Sequence, residues 1–215
     1  MEVSRPVGHL GSPVRAGLLG LALVGLATSC TFGGSDEGGG GDVASAEAPS
    51  RTPPSEPPAT DPEGVRPYLV DLLARYDDVV NQIVVDPSVA GDREHPLVED
   101  YLSLFEPDSQ FAEDALAAWV DDGESGRSVQ PYDESRLPFT TYVDGDIEVL
   151  AQDEVVFPLC VERRTLVYED DVLRQQTPFF ADVGSGAAVR VDGRWRLRSL
   201  GVSGGQASCG GGGAA

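Results

Sequence analysis

The side chains of this sequence that could do chemistry are few and scattered. His9 and His95 stand far apart. His95 precedes a proline in a polar turn, so no histidine pair is available as a zinc site or an acid–base dyad. Acidic pairs at Asp121/Asp122, Asp133/Glu134, Asp153/Glu154 and Asp170/Asp171 lack the spacing and sixth-position glycine of a calcium loop and read as turn chemistry. No phosphate-cradling glycine loop, serine elbow or dinucleotide fingerprint occurs, and neither a metal nor a cofactor is expected. Near the C-terminus Arg194, Arg196 and Arg198 alternate with Trp195 and Leu197, and Arg190 precedes the turn before them. An exposed sheet face of this kind pairs with acids such as Glu148 and Glu162; the alternative is a patch, with Arg163 or Arg164 added, for an anionic partner. The cysteines stand at 30, 160 and 209.

Cys30 closes an apolar run. Arg5 and Arg15 precede it, Ala16 to Leu26 form its apolar stretch, and Ala27, Thr28 and Ser29 are small. This is the layout of a secretory signal. It is too short and too diluted by Gly17, Gly20 and Gly25 to span a membrane. The segment Ala27-Thr28-Ser29-Cys30 resembles the bacterial lipoprotein lipobox, with Ala27 where leucine is usual. The resemblance implies cleavage after Ser29 and lipid on Cys30. It places the chain on the cell membrane, lipid-anchored at the extracytoplasmic face, since two or more acyl chains hold where one does not. The alternatives are an ordinary cleaved signal with an incidental cysteine, or an uncleaved anchor. With Cys30 acylated, Cys160 and Cys209 remain as an even pair in an exported compartment. Two readings stand for them: a disulfide pinning a glycine-rich tail to a strand, or a small buried apolar residue and a free tail thiol.

The elements that would position these residues follow in order. Residues 1–29 are the signal and 30–60 a tether of Gly, Ser, Ala, Pro and acids with little to bury. Residues 61–203 form a domain, and 204–215 a flexible glycine-rich tail. The formal net charge is −21, and all 15 basic side chains are arginine. That acidity disfavours nucleic acid, whose phosphates need a basic surface.

Asp61 and Pro62 read as the cap and first residue of a long helix whose apolar positions, Val65, Tyr68, Leu69, Leu72, Leu73, Tyr76, Val79, Val80, Ile83 and Val84, keep helical period until Pro87. A second helix runs from Pro96 to about Phe105, and a third, capped by Asp108 or Ser109, carries Phe111, Ala115, Leu116 and Trp119. Strands follow at Thr140–Val143, Ile147–Leu150, Val155–Tyr168, Val172–Phe180, Ala187–Val191 and Trp195–Val202. Pro158 marks a bulge or an edge, and Asp192-Gly193 a type I′ hairpin.

Helices first and an antiparallel meander after is an α+β order. With its closing Gly193-to-Leu197 hairpin, the layout resembles the nuclear transport factor 2-like (NTF2-like) superfamily, and in particular small exported actinobacterial members of unknown role. The resemblance implies a cone of three N-terminal helices packed on a curved antiparallel sheet, and allows a homodimer through that sheet. Ketosteroid isomerase-like members pair a carboxylate base with a tyrosine inside the cone. Here Tyr68, Tyr76 and Tyr101 lie near Asp71, Asp77 and Asp78, but Tyr68 and Tyr76 belong to the apolar stripe, whereas Asp71 and Asp78 fall mostly on the opposite face. Core tyrosines beside a solvated acidic face are expected. The leading functional expectation is a non-catalytic domain that binds a small molecule or a protein at the envelope. A dehydratase- or isomerase-type enzyme and a structural envelope protein are the alternatives. An open cone with a buried acid favours the enzyme; one filled by Tyr68, Tyr76, Phe111 and Trp119 disfavours both enzyme and small-ligand binder.

Overall fold

A computed structural model describes residues 55–206 and 208–209. The signal segment, Cys30 and most of the expected tether lie outside these residues. Among the described residues no helix is long and apolar enough to cross a membrane.

Helix α1 spans Pro62–Val85. The Asp61 side chain accepts from the Glu63 amide at 3.1 Å, satisfying one of the donors a helix start leaves open. The stripe of Val65, Leu69, Leu72, Leu73, Val80, Ile83 and Val84 is buried as the periodicity requires. Tyr68 departs from it and is 36% exposed, because its position lies at the flank of the stripe, where the packed layer ends. A 3-10 turn, Pro87–Gly91, leads to α2, Pro96–Ser103, where the Leu97 amide donates to the ring Nδ1 of His95, making that histidine a cap. Helix α3, Gln110–Glu124, is capped by Ser109.

The sheet is organised on β4, Glu154–Glu169. Strands β1 (Arg127–Pro131), β2 (Phe139–Val143) and β3 (Glu148–Ala151) pair antiparallel one after another along a single edge of β4. β5 (Val172–Val191) takes its other edge and β6 (Arg194–Gln206) follows. The molecule thus has the α+β architecture expected of an NTF2-like domain, with helices N-terminal to an antiparallel open sheet. Pro158 sits where β2 has ended and β3 has not begun, so its missing N–H is not needed there; its carbonyl accepts from Asp144 at 2.9 Å. Asp192 and Gly193 have φ of 51° and 75°, the left-handed pair of a type I′ turn.

Two strand expectations need correction. β1 was not anticipated, since Arg-Ser-Val-Gln-Pro has no alternation to betray it. Val172–Val191 is one strand, not two. Its apolar pattern lapses at Gly184 and Gly186 because a Cβ on Gly186 would fall 2.4 Å from the Phe157 ring, so the strand needs glycine there to seat an aromatic.

Both domain boundaries also move outward. Residues 55–60 belong by composition to the expected tether, yet the Glu56 amide donates to the Gly193 carbonyl at 2.8 Å, the Ala59 amide to Gln152 at 2.7 Å, and the Trp195 indole to Pro57 at 3.2 Å. Backbone pairing and the burial of Ala59 outweigh a composition that looks unstructured. At the other end β6 continues to Gln206, past the expected limit at Ser203.

Unpaired strand edges invite aggregation unless covered, and here side chains cover one edge and backbone the other. Asp77 and Asn81, one turn apart on α1, face the outer edge of β2. Asn81 accepts from the Phe139 amide at 2.9 Å and donates to its carbonyl at 2.8 Å, while Asp77 accepts from the Thr141 amide at 2.6 Å and its hydroxyl at 2.7 Å. On the opposite margin the segment after α2 runs beside β6, where Leu197 donates to Leu104 at 2.8 Å and accepts from Glu106 at 2.9 Å.

Candidate functional site

The inward-facing residues of β4 repeat every second position. Val155, Phe157 and Leu159 are buried and belong, with Leu69, Leu73, Val98, Leu104, Ala188, Trp195 and Leu197, to one hydrophobic cluster. Continuing the alternation gives Val161 and then Arg163. There the packing opens. A cavity of about 380 Å³ lies between the helices and this half of the sheet, lined by Tyr76, Val80 and Val84 of α1, Trp119 of α3, Phe139 and Thr141 of β2, Leu159, Val161 and Arg163 of β4, Asp182 of β5, and Leu200 and Val202 of β6. Val202, 55% exposed, forms part of its rim.

The lining is mostly apolar and carries charge in one place. Arg163 Nε and Asp182 Oδ2 form an ion pair at 2.6 Å, and the guanidinium lies 5.0 Å from the Phe180 ring centroid, within cation–π range. Val161 pairs with Asp182 and Arg163 with Phe180 in the β4–β5 register, so the two charged side chains project from adjacent positions of neighbouring strands. Arg164 points to the other sheet face, paired with Glu162 at 2.9 Å and stacked over Phe179 at 4.7 Å.

Behind the cavity lies an aromatic group. Tyr101 stands 5.0 Å from both Phe105 and Trp119 by ring centroid, and Phe105 packs on Tyr76 at 6.1 Å and Phe111 at 5.7 Å. The Tyr101 hydroxyl is buried with no hydrogen-bond partner among the described residues. Burial raises the pKa of both Tyr76 and Tyr101, helped by the neighbouring Asp77 charge at Tyr76 and by Tyr76 and Glu113 at Tyr101; neither ionises near neutrality. The cone is therefore not filled as four aromatics would fill it. Tyr76 and Trp119 line the open space, Phe111 packs elsewhere and Tyr68 faces outward.

Asp77 is a buried acid, 4% exposed. Burial pushes its pKa up to about 6, against the lowering effect of its bonds from Thr141. It does not line the cavity. Both carboxylate oxygens are engaged by Thr141, whose own side chain forms part of the wall. Asp77 thus ties α1 to β2 and has no oxygen aimed at a guest.

The predicted arginine row takes a different role. Arg190 is held by Asp153 at 3.3 Å, the Glu56 carbonyl at 2.8 Å and the Ser55 hydroxyl at 2.7 Å. Arg196 donates to the carbonyls of Ser103 and Phe105, and Arg198 bridges Glu106 at 3.0 Å and Glu154 at 2.5 Å. Arg194 is exposed. The acids that answer these arginines are not Glu148 and Glu162 but Glu106 of the α2–α3 link, Asp153 of the β3–β4 turn and Glu154 at the start of β4. Cys160 and Cys209 form a disulfide, with Cα atoms 5.6 Å apart. It lies on the face away from the helices, since Leu159 and Val161 on either side of Cys160 face the cavity. Among the described residues no group of three or more His, Cys, Asp or Glu side chains is arranged to hold a metal.

Nothing local in the sequence joins Arg163 to Asp182. Arg163 lies within an expected strand, but Asp182 falls in the gap between Val172–Phe180 and Ala187–Val191, so only the continuous β5 and its register with β4 bring the two together.

No family model matches the chain, and no curated protein matches it. Solved structures similar to it include the intermembrane space region of the chloroplast protein ARC6, with a TM-score of 0.44 and 7% identity, covering 67% of this chain and 98% of that one. The Kfla4162 protein from Kribbella flavida gives a TM-score of 0.38 and 16% identity over 68% of this chain and 96% of that one. An NTF-2 like protein of unknown function from Shewanella oneidensis MR-1 gives 0.27 and 15%, over 57% and 93%.

Proposed function

We propose that the chain is an exported lipoprotein, acylated on Cys30 and held at the extracytoplasmic face of the cell membrane, whose domain binds a small molecule without transforming it. The observation that carries the binding role is the cavity of about 380 Å³ between α1, α3 and the sheet. It is concave, mostly apolar and furnished with a single charged locus, the usual make-up of a small-ligand site. Non-catalytic binding is favoured over an isomerase or dehydratase because the buried acid, Asp77, has both oxygens bonded to Thr141 and lies outside the cavity lining.

The neutral apolar dye N-phenyl-1-naphthylamine tests the binding role. Its emission is expected to rise with the wild-type chain, and Leu200→Trp, which puts an indole into the space, is expected to abolish the rise while the domain stays folded by circular dichroism. No rise, or a rise that Leu200→Trp leaves intact, overturns the reading. For the anchor, palmitate labelling of the expressed chain is expected to require Cys30 and to vanish in Cys30→Ser; no labelling of the wild type, or labelling that the variant leaves undiminished, overturns acylation at Cys30.

A further inference from the structure

We infer that the cavity selects an uncharged amphiphile, a compact apolar body bearing one hydroxyl or carboxamide, and that the Arg163–Asp182 pair is what reads that group. This rests on the cavity being a binding site. Among the described residues lining it, Arg163 and Asp182 are the charged ones, and they neutralise each other at 2.6 Å. Arginine carries five N–H donors and a carboxylate about four lone-pair positions. Arg163 Nε lies 2.6 Å from Asp182 Oδ2 without the alignment of a hydrogen bond, so donors remain on the guanidinium and acceptors on the carboxylate, side by side. Asp182 is held in place, with a side chain only 14% exposed. Arg163 is steadied by the Phe180 ring, which itself rests against Gly205, where a Cβ would come 2.2 Å from it.

A hydroxyl or amide can donate to Asp182 and accept from Arg163 at once. A carboxylate ligand would satisfy Arg163 only by approaching Asp182, and an ammonium would meet the reverse conflict; either leaves like charges adjacent in a site partly shielded from water, where the repulsion is costly. The chain's net charge of −21 adds a field that further repels anions. The rest of the wall is mostly aliphatic and aromatic; of its uncharged polar groups the Thr141 hydroxyl is engaged by Asp77, and the remaining surface asks chiefly for apolar bulk. Scaling from the roughly 150 Å³ that accommodates benzene, the space suits a guest of about 15 non-hydrogen atoms.

The test uses matched probes near neutral pH: 1-naphthaleneacetamide, 1-naphthaleneacetate and 2-(1-naphthyl)ethylammonium, titrated calorimetrically into the full chain. The amide is expected to bind the wild type at least about tenfold more tightly than either ion. Asp182→Asn frees the guanidinium and is expected to shift the preference to the acetate. Arg163→Gln frees the carboxylate and is expected to shift it to the ammonium. The two swaps are independent, so the loss of one variant to misfolding leaves the other decisive. Equal binding of all three probes, or a preference unmoved by the swaps, defeats the inference while leaving the cavity reading intact. If N-phenyl-1-naphthylamine also fails to bind, the cavity reading itself falls.

Discussion

The two halves of this sheet are held together by different means. Near the β5–β6 turn, Phe157, Ala188, Trp195 and Leu197 are pressed against α1 and α2 with almost no exposure, and residues 55–60 close over the turn. In the other half, Val161, Arg163, Asp182 and Leu200 meet open space. The apolar packing given up there is offset in two ways. The Cys160–Cys209 disulfide fastens the sheet from its far face, and Asp77 and Asn81 clasp the outer edge of β2. A sheet can host a cavity without loosening when its cohesion is moved from the packed face to the edge and the opposite side.

Side-chain truncation should break the comparison most sharply. Phe157→Ala, in the packed half, is expected to cost about 4 kcal/mol, whereas Val161→Ala, on a wall that already faces a void, should cost about 1 kcal/mol. Denaturant midpoints of the two variants measure the difference, and equal losses would mean the halves are not distinct. Cutting the staple comes next. The bond spans a sequence separation of 49, and the chain-entropy model sets its loss in Cys209→Ser at up to about 4 kcal/mol. In that variant ligand affinity is expected to fall along with stability, while Phe157→Ala should lower stability with less effect on affinity.

The clasp is pH-sensitive in a defined direction. Burial raises the Asp77 pKa from the ordinary 3.8 to about 6 in the folded domain, so between those values the folded state holds the extra proton. The stabilisation this group supplies is fully present below about pH 4, is lost as pH climbs to about 6, and changes no further above; the span is about 3 kcal/mol. Asp77→Asn can keep its contacts if the Thr141 hydroxyl turns to accept, and is expected to flatten that part of a stability-versus-pH curve. An unchanged slope in the variant assigns the effect elsewhere. The smallest effect concerns the arginine row. Arg198→Ala breaks a partly exposed bridge to two acids and should cost about 1 kcal/mol, while the exposed Arg194→Ala should cost less than about 0.5 kcal/mol; thermal melts of the two resolve the pair.

Much of the scaffold was legible because its signals are local. The Asp61–Pro62 start of α1, the Ser109 cap and the Asp192-Gly193 turn each state their conformation within a few residues. The site was less so because its parts are not local. Arg163 and Asp182 become a pair only through strand register, and Asp77 reads as one more acid on an acidic helix until Thr141, from a strand far along the chain, meets it. Residues 55–60 carry no periodicity at all; they are ordered by what they dock against. Cys160 and Cys209 were legible as a pair only by elimination, and the choice between bond and free thiol needed their spatial separation.

The docked segment ahead of α1 also settles where a pull on this domain would be felt. Force arriving from the N-terminal side enters at Ser55 and Glu56, whose bonds run to Gly193, Arg190 and Trp195. The rim residue Val202 lies about 20 Å farther along β6, at roughly 3.3 Å per residue. Backbone and arginine contacts at the hairpin end would take the load before it reached the cavity. If the chain is tethered as proposed, tension in the tether and occupancy of the cavity are mechanically insulated from each other, and the opening lies at the end of the strand remote from the leash.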